Sequence, residues 1–230
     1  MTDSRFKADL HIHSDYSMDC QSLIEKIIAR CQQLNINCVA IADHGTAEGG
    51  LKMRKIAPTS LTIIVAEEVL TTSGEIMGMF LTETVSSGLS LRQSIELIKK
   101  QGGLVNVPHP FDTFPRTGLG LEALEEIAGD IDLIEAFNAR SPYHQPSSQA
   151  LAFAKKHCIP TSAGSDAHTL GEIGNAFVEM PPFSSRDDFL AALARGIIKG
   201  HKTSLTSRIE NLLTKIKNHS IKKQTFPRGE

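Results

Sequence analysis

No run of eighteen or more apolar residues occurs in the 230-residue chain, so no segment reads as a transmembrane helix. Residues 1–7 are polar and mixed in charge and lack the apolar core of a signal peptide, so a cytoplasmic address is expected. Cysteine is scarce. Cys20, Cys31, Cys38 and Cys158 form neither a Cys-x-x-Cys pair nor a disulfide framework, which removes the usual structural zinc and redox motifs. They read as small buried apolar residues or incidental thiols in a reducing compartment, with Cys20, beside Asp19, the one that could lie near a site. Internal repeats and low-complexity stretches are missing too. Net charge is only −2, but it is unevenly spread: from residue 199 onward eight Lys or Arg stand against two acids. The remaining body is acidic, as a cation site would want, and the tail is basic, which allows a polyanionic partner.

An apolar fraction of 40% and a charged fraction of 22% are those of a soluble globular chain. Short apolar runs alternate with helical periodicities along it. Strands are expected at Phe6–Ile12, Cys38–Ala42, Thr62–Ala66, Glu75–Leu81, Leu104–Val107, Ile131–Phe137 and Ala176–Met180, with a further strand-like run, Pro160–Gly164. Helices are expected at Ser22–Leu34, Ser90–Gln101, Leu121–Ala128, Gln145–His157, Ser184–Arg195 and Leu205–Asn218. Pro181-Pro182 and Gly196–Gly200 read as turns. Cys38–Ala42 is apolar on both faces, as parallel strands covered by helices are. The alternation predicts one α/β domain with a mostly parallel sheet, of the size of an α/β barrel.

The chemistry-bearing residues fall at one place in this pattern. His11 and His13 lie two apart on a strand and so share a face. His44, Glu68, His109, and Asp166 with His168 lie in or just beyond the C-terminal ends of other strands, which converge on one face of a barrel. Histidines mixed with carboxylates suit Mn2+, Fe2+ or Zn2+ better than Ca2+ or Mg2+, and so many donors exceed the needs of one ion. Two or three divalent transition-metal ions are therefore expected. Such pairs activate water and hold phosphate oxygens for in-line attack. Asp43 is expected to fix an imidazole tautomer, and Glu67 to face away from Glu68.

The stretches Asp9–Asp19, Ala42-Asp43-His44, Ala66-Glu67-Glu68-Val69, Pro108-His109-Pro110 and Gly164–His168 together resemble the polymerase-and-histidinol-phosphatase (PHP) superfamily of metal-dependent phosphoesterases. The resemblance runs to about residue 180 and is to its small stand-alone members. It implies a distorted (β/α)7 TIM-like barrel, spanning residues 1–204, with its metal site at the C-terminal ends of the strands. A basic helix and tail, 205–230, would pack on it. Matched residue by residue, the ligands would be His11, His13, Asp19, His44, Glu68, His109, Asp166 and His168, with Glu68 bridging two ions. The catalytic set would be His11, His13, Glu68, His109, Asp166 and His168. Two departures stand out. Glu75, in Gly74-Glu75-Ile76-Met77-Gly78, stands where many members carry histidine, and is a further candidate ligand. Asp19 lies one position later than the family's usual aspartate, with Asp15 as the alternative.

Arg140, Arg116 and Asn138, in loops of the same face, are candidates for substrate phosphate. The expected activity is hydrolysis of phosphate esters, on nucleotide phosphates or the 5′ ends of oligonucleotides. The expected partner is thus a phosphorylated small molecule or nucleotide, with nucleic acid possible and no membrane. The alternatives are an amidohydrolase-type C–N hydrolase, a histidinol-phosphate-like phosphatase and a non-catalytic PHP domain.

Overall fold

The alternation of strand and helix becomes a curved sheet wrapped by helices. The computed structural model describes residues 5–112, 118–141 and 147–203. Its strands are β1 (Phe6–Ile12), β2 (Cys38–His44), β3 (Thr62–Thr71), β4 (Gly74–Met79), β5 (Leu104–Val107), β6 (Leu133–Asn138), β7 (Thr161–Gly164), β8 (Ala176–Met180) and β9 (Ile197–Gly200). The helices among the described residues are α1 (Ile24–Gln33), α2 (Glu48–Ile56), α3 (Leu91–Lys100), α4 (Gly120–Glu126), α5 (Ser148–His157) and α6 (Arg186–Leu193). None is long and apolar enough to cross a membrane.

The sheet order is β7-β6-β5-β4-β3-β2-β1-β8-β9. Strands β1 to β7 form a nearly closed, barrel-like ring. β1–β2–β3 and β5–β6–β7 are parallel, and β4 runs antiparallel to both neighbours because a tight hairpin joins it to β3. The ring closes only at one end. Past Gly164 the chain leaves β7 and meets β1: the Asp166 N–H donates to the His11 carbonyl (2.7 Å) and the His13 N–H to the Ala167 carbonyl (3.0 Å). At the other end of β1, β8 takes the place of β7, pairing antiparallel with Phe6–Ala8.

Period-two alternation explains both faces of the sheet. Cys38, Ala40, Ala42 and Ala66 point into the ring and are small, leaving room for the larger Leu10, Ile64, Met77, Met79 and Phe137. Val39 and Ile41 point out against Ile24, Ile27 and Cys31 of α1 and Met53 of α2. Leu91, Ile95 and Ile98 of α3 cover Val105 and Val107 with Phe153 of α5. Burial of each such side chain contributes about 1.5–3 kcal/mol. Local signals agree: Ser90 and Gln93 make a reciprocal capping box at α3, and Ser147 and Ser185 cap α5 and α6.

Three expectations are corrected. Gly196–Gly200 is not a turn; Ile197–Gly200 is a strand paired with β8. β3 does not stop at Ala66 but continues through Glu67 and Glu68 to Thr71. Helix α2 was absent from the sequence pattern, because Gly49 and Gly50 make it read as a loop. The glycine is needed there: a Cβ on Gly49 would lie 2.0 Å from an Asp43 carboxylate oxygen. The basic segment 205–230 and Arg116 lie outside the described residues.

Candidate metal centre

The histidine pair owes its direction to a flaw in the strand. Ala8 and Leu10 point into the ring, so unbroken alternation would send His11 and His13 outward with Asp9. The pairing of β1 with β2 slips between Asp9 and Ile12, where the register runs from Asp9↔Val39 to Ile12↔Ile41. This bulge inserts one residue and reverses the parity beyond it. Ile12 therefore joins the outer layer, and both imidazoles turn inward at the closed end of the ring. Asp9 stays buried on the outer side, accepting from the N–H groups of Ser165 and Gly174 (both 2.9 Å); burial raises its carboxyl to about 6.

Around that pair the structure gathers Asp19, His44, Glu68, Glu75, His109, Asp166 and His168. Glu68 is the hub. Its Oε1 lies 3.2 Å from His11 Nε2 and 3.1 Å from His109 Nε2; its Oε2 lies 3.3 Å from His13 Nε2 and 3.2 Å from His44 Nδ1. Asp166 Oδ1 stands 3.3 Å from His13 Nε2, and Asp19 Oδ2 stands 3.0 Å from His168 Nε2. Glu75 reaches the same end because β4 runs backward, and its Oε2 is 3.9 Å from His109 Nε2. Three donor groups among the described residues could hold an ion: His13, His44 and His168; His11, His13 and Asp166; Glu68, Glu75 and His109. Neither Asp15 nor Asp19 belongs to them, but Asp19 is part-buried against His168 whereas Asp15 is exposed.

What lies behind the imidazoles decides which nitrogen faces the centre. His11 Nδ1–H donates to Glu135 Oε1 (3.1 Å), and His168 Nδ1–H donates to the Asp166 carbonyl (2.9 Å). His13 Nδ1 lies 3.0 Å from Ser17 Oγ, which also accepts from the His44 N–H (2.9 Å). In all three rings Nε2 faces the centre, and in His11 and His168 the proton is fixed at Nδ1 behind it. Two of those nitrogens, on His11 and His13, are only 3.3 Å apart. Two nitrogens at that separation need a proton or a metal ion between them.

The donor spacings fit a metal. Ligands about 2.1 Å from an ion lie roughly 3.0 Å apart on an octahedron and roughly 3.4 Å apart on a tetrahedron. The contacts just given, 3.0–3.3 Å apart from the Glu75 one, fall in this range. Titration agrees. Burial alone would raise Glu68, but the imidazoles of His11 and His44 and hydrogen bonds from His109 and His11 outweigh it and hold its carboxyl well below the carboxylate range. Burial depresses His11, yet Glu68, Asp166 and Glu135 hold it well above its ordinary value: it keeps a proton where a metal would sit. His13 is pushed down to about 3 by burial, with His168 and His44 adding to the effect, and is neutral, as a ligand must be. Asp19 is held well below its ordinary value by His168, His44 and His13, against the opposing effect of burial.

Some residues act otherwise than expected. Asp43 touches no imidazole directly. It accepts from Ser14 N–H (2.6 Å) and Ser14 Oγ–H (2.7 Å). Asn138 donates to Glu135 and Asp166 and accepts from the N–H groups of Arg140 and Ser141, so its whole amide is engaged within the protein. Arg140 is part-buried, 3.7 Å from Glu172, whose Oε2 accepts from the His168 and Thr169 N–H groups. Glu67 does face away from Glu68, accepting from Val85 N–H (2.8 Å); burial pushes its carboxyl up to about 7. Cys20 lies close by but donates to the carbonyls of His13 and His168 and is pushed up to about 11 by burial, so it is no ligand.

Glu135 escaped the sequence reading. It is buried on β6, and its Oε2 accepts from the His109 N–H (2.9 Å) as well as from Asn138. Its signal was a lone acid inside the apolar run Leu133–Phe137, since a buried carboxylate requires partners. A close approach completes the wall: a Cβ on Gly164 would meet the His11 Cβ at 2.2 Å.

Comparison with known proteins points the same way. A family model described as PHP-associated matches residues 145–197. An uncharacterized protein of Methanocaldococcus jannaschii, MJ0417, is 36% identical over 179 residues, covering 75% of this chain and 70% of its own. Among solved structures, a two-domain protein from Bacteroides vulgatus, described as containing a predicted PHP-like metal-dependent phosphoesterase, superposes with a TM-score of 0.71 at 16% identity. The match covers 86% of this chain and 65% of that one. An amidohydrolase from Chromobacterium violaceum superposes with a TM-score of 0.58 at 16% identity, covering 72% of this chain and 88% of its own. At such identities the two solved structures share the fold.

Proposed function

The chain belongs to the polymerase-and-histidinol-phosphatase superfamily, and on that premise we propose that it is a hydrolase of phosphate esters dependent on two or three divalent ions. The observation that carries this reading is the convergence of nine donor residues around Glu68 as hub, with the His11, His13 and His168 imidazoles turned so that Nε2 faces inward. His11, His13, Glu68, His109 and Asp166 would hold the ions nearest the reacting phosphorus, and Asp19, His44 and His168 a further one. When bound, the ions supply Lewis acidity, lowering the pKa of a water and neutralising phosphate oxygens.

The chain's own side chains do the rest. Fully buried His11, His13 and Glu68 form the floor, while the half-buried His44, Asp19 and Glu75 border the mouth through which substrate enters. Arg140, steadied by Glu172, offers a charge-assisted donor to a phosphate there. Asn138 and Glu135 keep the floor in register.

The substrate class we favour is a nucleotide phosphate or a 5′-phosphorylated oligonucleotide, with the basic residues after 199 assisting a polyanion. The test is turnover by chelated, Mn2+-reloaded protein on p-nitrophenyl phosphate, nucleoside bisphosphates and 5′-phosphorylated oligonucleotides. A panel of dihydroorotase and deaminase substrates runs beside it. Hydrolysis confined to the second panel would replace the reading with an amidohydrolase one.

A further inference from the structure

We infer that the centre is built from positions of unlike hardness, and that the one formed by Glu68, Glu75 and His109 takes a hard ion, Mn2+ or Mg2+, beside zinc- or iron-type ions in the others. This deepens the metal-dependent reading above and concerns the same site.

The three donor groups differ in kind. His13, His44 and His168 offer three neutral nitrogens, with Asp19 at their edge; His11, His13 and Asp166 offer two nitrogens and one carboxylate; Glu68, Glu75 and His109 offer two carboxylates and one nitrogen. Imidazole favours borderline ions such as Zn2+ and Fe2+, and carboxylate favours Mg2+ and Mn2+. The third group is thus the richest in oxygen, with Glu75 adding a carboxylate of its own to the shared Glu68.

Position in the fold supports the same division. The Glu68 side chain is 1% exposed and that of His109 3%, but that of Glu75 is 16% exposed, so this group runs from the floor to the mouth. Hard ions dehydrate reluctantly and keep several waters, which such an opening permits. His109 itself is held at a φ of +28°, a costly conformation for a residue with a side chain, and its N–H is tied to Glu135. The backbone is therefore fixed to present this imidazole to the two carboxylates.

Thermodynamic preference still runs from Mn2+ to Zn2+ at any such site, but the gap narrows as nitrogen is replaced by oxygen. The distinction is therefore one of competition. Metal-free protein is loaded with two equivalents of Zn2+ and titrated with Mn2+, with free Mn2+ read by electron paramagnetic resonance and heat by calorimetry. One further equivalent of Mn2+ is expected to bind, and Mg2+ to displace it. E75Q should weaken that equivalent at least tenfold and leave the two Zn2+ equivalents unchanged, while E75H should raise the Zn2+ over Mn2+ preference there at least tenfold. If E75Q fails to fold by circular dichroism, Glu75→Asp serves in its place, retaining charge and losing reach. Absence of Mn2+ uptake after Zn2+ loading, or equal Mn2+ affinity in wild type and E75Q, overturns the inference. Because no substrate is present, a protein that binds ions this way but cleaves no phosphate ester refutes the activity and leaves the ion assignment standing.

Discussion

Glu135→Gln isolates the orientation of His11 from its identity. Glu135 uses both oxygens: Oε1 accepts from His11 Nδ1–H at 3.1 Å, and Oε2 accepts from the His109 N–H and Asn138 Nδ2, both at 2.9 Å. Glutamine has one oxygen. Placed toward His109 and Asn138, it turns its NH2 toward His11, which must then accept at Nδ1 and carry its proton at Nε2, facing Glu68. A donor there cannot ligate an ion. Placed toward His11 instead, the NH2 opposes two buried N–H donors, each costing about 1–3 kcal/mol. The first arrangement is favoured because it strands fewer groups. Loss of a ligand-orienting partner typically weakens metal binding about 10- to 100-fold, or about 1.4–2.8 kcal/mol. We therefore expect E135Q to fold with thermal stability close to wild type without metal, and to bind Zn2+ or Mn2+ 10- to 100-fold more weakly by calorimetry. Two-bond 1H–15N spectra of the metal-free protein should move the His11 proton off Nδ1. Unchanged affinity with Nδ1 still protonated would refute the reasoning, and so would an unfolded variant at 25 °C.

His11→Ala should abolish both turnover and one tightly bound ion; full turnover would sink the proposed centre. Ser17→Ala removes the acceptor for the His44 N–H and the hydrogen-bond partner of the His13 ring, and should cost about 1–3 kcal/mol in urea unfolding together with a drop in metal affinity. An unchanged midpoint would mean that water replaces the hydroxyl. Glu67 gives a pH prediction. The fold raises its carboxyl from 4.5 to about 7, so the folded state favours the neutral acid; the cost is absent below pH 4.5, grows as pH rises toward 7, and persists above. The shift corresponds to about 3 kcal/mol at most, and about half that after local relaxation and hydration. E67Q should therefore gain several degrees in Tm over wild type at pH 8 but not at pH 4.5, and parallel Tm profiles would contradict this. Raising metal to about one hundred times its Kd should stabilise the protein by about 2.7 kcal/mol, some 5–10 °C in Tm, reversed by chelator.

Most of the gathered donors were legible in the sequence because His11, His13, His44, Glu68, His109, Asp166 and His168 end or follow strand-like runs, where barrel strands present side chains. Asp19, and Glu75 at the start of β4, were reached only through the family resemblance. Glu135, Ser17 and the bulge at Asp9–Ile12 were missed. Phe6–Ile12 alternates so regularly that nothing in it announces an extra residue; the inserted residue shows only against the pairing with Cys38–Ile41. Asp43 was assigned to an imidazole because it adjoins His44, although strand neighbours face opposite ways and its carboxylate points out to Ser14. Helix α2 was hidden by glycines whose role is close contact, with Asp43 and Ser14 at Gly49 and with Val65 at Gly50, a requirement set by tertiary structure alone.

Closure of the ring at one end also sets an order of events. His11 and His13 come from the first strand and Asp166 and His168 from the segment after the seventh, and they meet only when Asp166 and Ala167 bond to β1. Bridging so long a stretch of chain is entropically slow to nucleate, so this seam should form after the local strand–helix units. An ion that needs both sides of the seam then stabilises the finished protein without helping the chain reach its folding barrier. Metal should therefore slow unfolding and leave the folding rate nearly unchanged, acting as a latch on the finished ring.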